Sequence, residues 1–208
     1  MKNAMALNMR SYWAGLRAVL VFTVIVIVYT FAMFGIGQLG MPDKANGSLI
    51  TDQSGQVVGS SLIGQSFTDS KGEALPQYFQ SRPSAAGASD DNPSGYDASA
   101  SSGTNLGHQD EGLIKDVTTR RAEIAKREGV SVKDVPADAV TASSSGLDPH
   151  ISPEYAAIQV RRVAKERGIS QEKVEQLVKD NTTGRGLGFI GEPVVNVVTL
   201  NKALDDLP

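Results

Sequence analysis

The longest unbroken apolar run of the chain lies near its N-terminus. Between Ala18 and Gly40 there is no charged residue, and Val, Ile and Phe dominate. An α-helix rises about 1.5 Å per residue, so about 20 such residues cross the roughly 30 Å hydrocarbon core of a bilayer. Lipid offers no partner to open backbone groups, which favours a helix despite the β-branched residues. The pattern therefore predicts one transmembrane helix over residues 18–40.

A cleaved secretory signal also begins with basic residues and continues with apolar ones. Its apolar region normally has about 7–15 residues and ends at an A-x-A-like site. The run in this chain is longer and ends in Gly40-Met41-Pro42. The sequence thus favours a retained anchor over a removed signal.

Charges on the two sides of the run indicate its orientation. Lys2, Arg10 and Arg17 precede it without any acidic residue, whereas Asp43 and Lys44 cancel just after it. The positive-inside rule then places residues 1–17 in the cytoplasm. Residues 41–208 are expected to form a single extracytoplasmic domain of a single-pass cell-membrane protein.

Short apolar pairs alternate with turn residues between positions 46 and 69. The pairs that begin at Leu49 and Val57 are separated by Ser54 and Gly55, and a third pair begins at Leu62, which predicts short strands of a small sheet. Near the other end, Pro193 leads into the β-branched run 194–200, which predicts a strand.

Helix ends are marked by capping residues. Two octapeptides, IAKREGVS and VAKERGIS, nearly repeat each other, and each ends a helical pattern on basic residues. Gly129 and Gly168 are suited to stop these helices, and Ser131 and Ser170 to cap the next ones. The shared pattern is too short to indicate a repeat architecture, and similar capping chemistry accounts for it.

A further helix start is marked at Ser152, an N-cap candidate that precedes Pro153. Apolar residues then recur on one helical face, and another helix is predicted over residues 171–180. Together with the strands, these helices predict an α+β fold: one transmembrane helix followed by one mixed helix-and-sheet domain.

The segment 83–107 departs from the rest in composition. Ser, Ala, Gly, Asp and Asn dominate it, and its large side chains are Tyr96 and Leu106. Composition alone is typical of a flexible linker. The other interpretation is an ordered polar loop that lies against a partner.

Composition excludes several kinds of site. The chain has no cysteine, so disulfides, thiol catalysis and Cys-ligated metals are excluded. Its two histidines, His108 and His150, are too few for a multi-His metal site, and no metal is expected. Seventeen basic and 23 acidic residues follow the anchor, a net charge of −6. This balance argues against nucleic acid and against docking on anionic lipid.

Catalytic signatures are weak throughout the sequence. Neither the P-loop motif G-x-x-x-x-G-K-[ST] nor the nucleophile-elbow motif G-x-S-x-G occurs. The glycine-rich run 183–188 is expected to be a turn, because a dinucleotide-binding motif needs a strand before it and a helix after it. Asp148 and His150 are separated only by a proline, which favours a structural hydrogen bond over a catalytic triad. The chain is therefore not expected to be an enzyme by itself.

Several segments, in order, carry a resemblance to a known family. They read ANGSL (45–49), GSSLIGQ (59–65), YFQSRPS (78–84), SGTNLG (102–107), VPADAVTAS (135–143), SGLDPHISP (145–153) and GEPVVNV (191–197). The chain resembles the C subunit of the Kdp potassium-transporting ATPase, a bacterial high-affinity K⁺ uptake complex. The resemblance covers nearly the whole chain.

The resemblance implies an accessory subunit that assembles with a channel-like K⁺-binding subunit, a P-type ATPase subunit and a small membrane peptide. It implies K⁺ transport by the complex and a catalytic-chaperone role that raises the affinity of the pump for ATP. No cofactor bound by this chain itself is expected. The family suggests nucleotide-effect or partner contacts at Gln80, Ser81, Arg82, Ser102, Gly103, Thr104 and Asn105.

The predicted orientation conflicts with direct ATP contact. A P-type pump hydrolyses ATP in the cytoplasm, whereas the domain is expected outside. The sequence therefore favours an indirect effect on the pump. The rival interpretation is a free-standing anchored protein that binds a small extracellular ligand.

Overall fold

The computed structural model describes the backbone of residues 2–207 and the side chains of residues 9–207. Met1 and Pro208, where the predicted ranges begin and end, lie outside the described residues. The chain divides into two compact units, one ending at Ser48 and one beginning at Leu49.

The N-terminal unit consists of a long helix, α1 (Lys2–Gly40), and a single helical turn, α2 (Pro42–Ala45). Residues 9–40 are long and apolar enough to cross a membrane, and the large side chains along them are exposed. The Arg17 guanidinium lies 5.0 Å from the centroid of the Trp13 ring, a pair suited to a membrane interface. The predicted apolar helix is confirmed, and it begins well before the apolar run.

The C-terminal unit opens with an antiparallel hairpin of β1 (Leu49–Thr51) and β2 (Val57–Ser60). The Asp52 carboxylate accepts hydrogen bonds from the backbone N–H groups of Ser54 and Gln56 at 2.8 and 2.9 Å. These bonds shape the turn, since Asp commonly bonds the backbone two residues on. The predicted small sheet is confirmed as a two-stranded hairpin, and the apolar pair at 62–63 lies outside its strands.

Three longer helices follow: α3 (Glu111–Glu128), α4 (Pro153–Arg167) and α5 (Gln171–Asp180). The Ser152 hydroxyl accepts from the Tyr155 N–H at 3.0 Å, which confirms the predicted N-cap of α4. Helices α3 and α4 both end at a left-handed glycine, as the capping pattern predicts.

The two candidate serine caps behave differently. Ser170 caps α5 by accepting from the Lys173 N–H at 3.3 Å. Ser131 precedes only the 3₁₀ turn Val132–Asp134, and its side chain makes no capping bond there. The prediction for Ser131 is wrong because the chain turns away after a few residues and no α-helix begins at that point.

The predicted strand 194–200 is also wrong beyond its third residue. Strand β5 (Val194–Asn196) ends where α6 (Val197–Asp205) begins. The Asn196 Oδ1 accepts from the N–H groups of Val198 and Thr199, each at 3.1 Å. This cap outweighs the strand preference of the valines, and α6 buries its apolar face in the core.

A small antiparallel sheet joins distant parts of the chain. Strand β5 lies between β3 (His150–Ile151) and β4 (Thr182–Thr183). With the helices packed around it, this arrangement confirms the predicted α+β fold.

Helix α4 supplies the largest share of the core. Its buried face presents Tyr155, Val160 and Val163, and α5 adds Val174. Other parts of the chain complete this cluster with Phe79, Ile124, Val135, Val140, Ile151, Val195, Leu200 and Leu204.

A buried carboxylate connects α3 to the rest of the core. The Glu128 side chain is fully buried and accepts from the guanidinium groups of Arg127 at 2.7 Å and Arg162 at 2.8 Å. Arg162 also donates to the backbone carbonyls of Pro76 and Tyr78 at 2.5 and 2.9 Å. One ion network thus holds α3, α4 and the irregular segment around residues 76–80 together.

Removing the charge of Glu128 tests this network. We expect Glu128→Gln to lower the free energy of unfolding by about 3 kcal/mol or more, because two guanidinium groups lose their buried counter-charge. The measurement is urea unfolding of the full chain in detergent, followed by circular dichroism.

The matched control is Asp116→Asn, which removes an exposed i,i+4 pair with Arg120 and is expected to cost less than about 0.5 kcal/mol. Equal losses in the two variants would contradict the central role of the buried network.

Candidate functional site

A cleft of about 770 Å³ lies in the C-terminal unit, between the segments around residues 66–84 and 93–96 and helix α3. Hydroxyl and guanidinium groups are prominent on its walls. The lining includes Ser81, Arg82, Ser84, Tyr96, Arg120 and Arg127.

Arg82 lines the cleft and is held there by two long contacts. Its Nε donates to the Thr141 carbonyl at 3.3 Å, and its Nη1 lies 3.4 Å from the Asp148 carboxylate. Both contacts are long, and about a quarter of the side chain is exposed. A guanidinium carries five N–H donors, so Arg82 keeps donor capacity for an anionic group in the cleft.

The Tyr96 side chain lines the cleft beside Arg82. Its hydroxyl donates to the Arg82 carbonyl at 2.8 Å. Burial raises the pKa of the Tyr96 hydroxyl to about 12, so this donor stays protonated at physiological pH.

The polar segment 83–107 lies against its own domain. The Ser84 hydroxyl donates to the Gly146 carbonyl at 2.6 Å and accepts from the Tyr96 N–H at 2.9 Å. Farther along, the Ser102 N–H donates to the Ser145 carbonyl at 3.0 Å. These contacts contradict the interpretation of this segment as a flexible linker. Its contact with a partner stays a prediction.

Gln80 borders the cleft, but its side chain is committed to the fold. Its side chain is buried and its amide nitrogen donates to the carbonyls of Phe67 and Leu75 at 3.0 and 3.1 Å. Its backbone exchanges two hydrogen bonds with the buried Gln159 amide. Neighbouring Ser81 lines the cleft, where its hydroxyl donates to the Gln65 carbonyl at 2.8 Å.

The second predicted group, residues 102–105, lies outside the lining of the cleft. Gly103 passes close to another backbone, since a Cβ there would lie 2.8 Å from the Ser144 carbonyl oxygen. Thr104 is exposed, and the exposed Asn105 side chain bonds only locally, to the Gly103 carbonyl at 3.2 Å.

The two predicted groups share a contact with the loop at residues 141–148. Arg82 reaches the start of that loop and Ser102 bonds near its middle, at Ser145. The structure therefore brings them to the same loop but not to the same cavity.

Asp148 and His150 form the structural pair that their spacing predicts. The Asp148 carboxylate lies 3.1 Å from the His150 Nδ1 and accepts from the His150 N–H at 3.0 Å. Burial tends to raise the pKa of Asp148, but the His150 bonds and the charge of Arg82 bring it below its ordinary value. The carboxylate therefore stays ionised and anchors Arg82.

Sequence reasoning missed the contribution of α3 to the cleft. Arg120 and Arg127 come from this helix, about 40 residues beyond Arg82, and each already pairs with an acidic neighbour. A cluster of basic residues on α3 was visible in the sequence, but only the fold shows that they face Ser81 and Arg82. The lining of the cleft carries four cationic side chains and two carboxylates, those of Glu73 and Glu123, whereas the domain as a whole is acidic.

Comparison with known proteins settles the family. Residues 12–206 match the model of a family described as the K⁺-transporting ATPase c chain. The chain belongs to this c-chain family. The match takes in most of α1 as well as the whole domain that contains the cleft.

Individual relatives of the c-chain family agree. A Potassium-transporting ATPase KdpC subunit from Kineococcus radiotolerans is 49% identical over 197 residues, which cover 94% of this chain and 93% of the relative. The subunit of the same name from Mycobacterium bovis is 49% identical over 200 residues, covering 95% and 99%. That from Caulobacter vibrioides is 50% identical over 186 residues, covering 88% and 87%.

The lowered pKa of Asp148 predicts a pH-dependent stability of this c chain. A carboxylate whose pKa is depressed in the folded state stabilises the fold above its ordinary pKa, 3.8, and this contribution is lost as the pH falls through the folded value. We expect Asp148→Asn to unfold more easily than the parent at pH 7. The difference should shrink as the pH falls below about 4.

Thermal unfolding of the full chain in detergent at several pH values measures this effect. The variant Asp116→Asn, which alters an exposed pair, is the control and should follow the parent closely. A difference between Asp148→Asn and the parent that persists unchanged to about pH 3 would contradict the assignment.

Proposed function

We propose that this chain is the accessory subunit of an ATP-driven K⁺ importer. It assembles with a channel-like K⁺-binding subunit, a P-type ATPase subunit and a small membrane peptide, and it does not catalyse the reaction itself. The observation that carries the proposal is the c-chain family match over residues 12–206, which includes both the helix and the domain.

The exposed surface of α1 supports assembly within a membrane. Large apolar side chains such as Phe22, Ile25 and Phe31 are more than half exposed along it. Only lipid or neighbouring transmembrane helices remove such a surface from water. The helix is therefore proposed to be both the tether of the domain and a contact with the partner subunits.

The domain is proposed to lie on the outer face of the membrane. Support comes from Lys2, Arg10 and Arg17 before the apolar run, against cancelling charges just after it. In this orientation the cleft faces the extracytoplasmic side, away from cytoplasmic ATP.

The effect on ATP affinity is proposed to be indirect. Gln80, which the family motif suggests as a contact, is buried and committed to the fold. Through α1 or through docking of the domain, the subunit stabilises the pump conformation that binds ATP more tightly. For this effect the subunit does not have to bind ATP. It has to bind one conformation of the pump more tightly than the other.

Purification from membranes tests the assembly. When the chain is tagged and extracted gently, the large multispan subunits are expected to be recovered with it in fixed stoichiometry. Recovery of the chain alone would contradict the proposal and would favour a free-standing binding protein.

Photo-crosslinking tests the indirect effect. In sealed vesicles with ATP analogue only on the cytoplasmic side, we expect the P-type subunit to be labelled and the C-terminal unit of this chain to stay unlabelled. Permeabilised vesicles are the control, because they show whether the domain has any intrinsic affinity for the analogue. Labelling of the domain in sealed vesicles would overturn the orientation or the indirect mechanism.

A further inference from the structure

The loop between β4 and β5 carries an exposed apolar tip, formed by residues 186–190. Leu187, Phe189 and Ile190 are 84, 72 and 56% exposed. In the same domain the apolar residues of α4 and α6 are buried. Three large apolar side chains within four positions of one loop therefore remain in water.

The tip is closed by hydrogen bonds and stands clear of the domain. Gly186 and Ile190 exchange two backbone N–H···O bonds, each at 2.8 Å. A Cβ built at Gly184, Gly188 or Gly191 would meet no heavy atom within 4 Å outside the adjacent residues. The loop thus displays its apolar side chains in a fixed shape without packing them against its own fold.

Backbone conformation at Leu187 is unfavourable for its residue type. Leu187 has a φ of +52°, a left-handed conformation that glycine or asparagine adopts far more readily than a bulky residue. Such strain persists where the surroundings or a function require the side chain. Neither packing nor backbone preference accounts for a leucine at this position.

Charge at the tip argues against an anionic membrane surface as the occupant. The flanking charges Arg185 and Glu192 pair with each other at 2.5 Å, which leaves the tip neutral. The chain beyond the anchor has a net charge of −6, so anionic lipid headgroups would repel it. A neutral apolar pocket of a protein suits the tip better.

The size of the tip argues against a second copy of this chain. Three such side chains expose on the order of 400 Å², about half of the roughly 800 Å² that each partner contributes to a stable interface. A contact of this size suits a partner that is already held nearby. Only eight residues, 41–48, connect α1 to β1, so the domain stays close to whatever lies beside α1 in the membrane, at high effective concentration.

From these observations we infer that the tip inserts into an apolar pocket on the outer face of a multispan subunit of the same transporter. Leu187 and Phe189 are the anchors of the contact. The inference rests on the proposed function, since it names a docking element for the proposed assembly.

Exchange of subunits tests the inference. Labelled chain in the purified complex is mixed with an excess of unlabelled parent chain, and the rate at which label leaves the complex is measured. We expect Leu187→Asn with Phe189→Ser to exchange at least tenfold faster than the parent, since buried anchor side chains dominate dissociation rates.

Two further variants separate docking from folding. Leu187→Gly relieves the unfavourable φ, so it should unfold no more easily than the parent yet still exchange faster. Leu106→Asn with Val132→Ser changes exposed apolar residues elsewhere on the domain and should exchange like the parent.

Each alternative occupant gives a distinct result. Unchanged exchange of the tip variants overturns the inference while the parent complex, and hence the proposed function, stands. A tip variant that instead loses flotation with liposomes points to the bilayer, and one that halves the mass of the isolated chain in detergent points to self-association. Both results overturn the inference. If the unmutated chain is not recovered with the multispan subunits, the proposed function is overturned as well.

Discussion

The buried carboxylate of Glu128 sets the arrangement on which the domain depends. A charge without access to water is tolerated only when opposite charges and hydrogen-bond donors surround it. Glu128 therefore requires Arg162 to lie in one position, and from there Arg162 holds the carbonyls of Pro76 and Tyr78. That segment has no regular secondary structure of its own. The ion network around Glu128 of α3 therefore fixes the course of this segment along the core. It also places Arg82, which follows a few residues later.

Local signals in the sequence predict the parts of the fold that local forces determine. The apolar run, the serine at the start of α4 and the left-handed glycines that end α3 and α4 each act within a few residues, and each prediction was confirmed. The strand predicted over residues 194–200 failed because two local signals competed there. Strand-forming valines stand on both sides of Asn196, whose side chain caps α6. The recurrence of Val197, Leu200, Asn201 and Leu204 at helical spacing is the signal that would have identified the helix.

Long-range contacts decided what the sequence left open. Segment 83–107 has the composition of a linker, but Ser84 bonds a carbonyl 62 residues away, and no local pattern announces such a contact. The motif at residues 80–82 shows the same limit. The family resemblance suggests contacts at Gln80 and Arg82 alike, yet the Gln80 side chain is buried and committed to the fold, whereas Arg82 is partly exposed in the cleft. One short motif can therefore combine a residue committed to the architecture with a residue that keeps donor capacity, and their hydrogen bonds distinguish the two.

The amide of Asn201 carries a consequence for the order in which the domain forms. Its buried side chain accepts from the N–H of Phe79 and donates to the Phe79 carbonyl, across 122 positions of sequence. Arg167 joins the same two parts of the chain, since its guanidinium donates to the carbonyls of Gln77 and Leu204. Phe79 thus lacks these two backbone partners until α6 has been synthesised and has joined it. Closure of the domain therefore waits for α6, and contacts between residues so far apart slow folding because the intervening loop must close first.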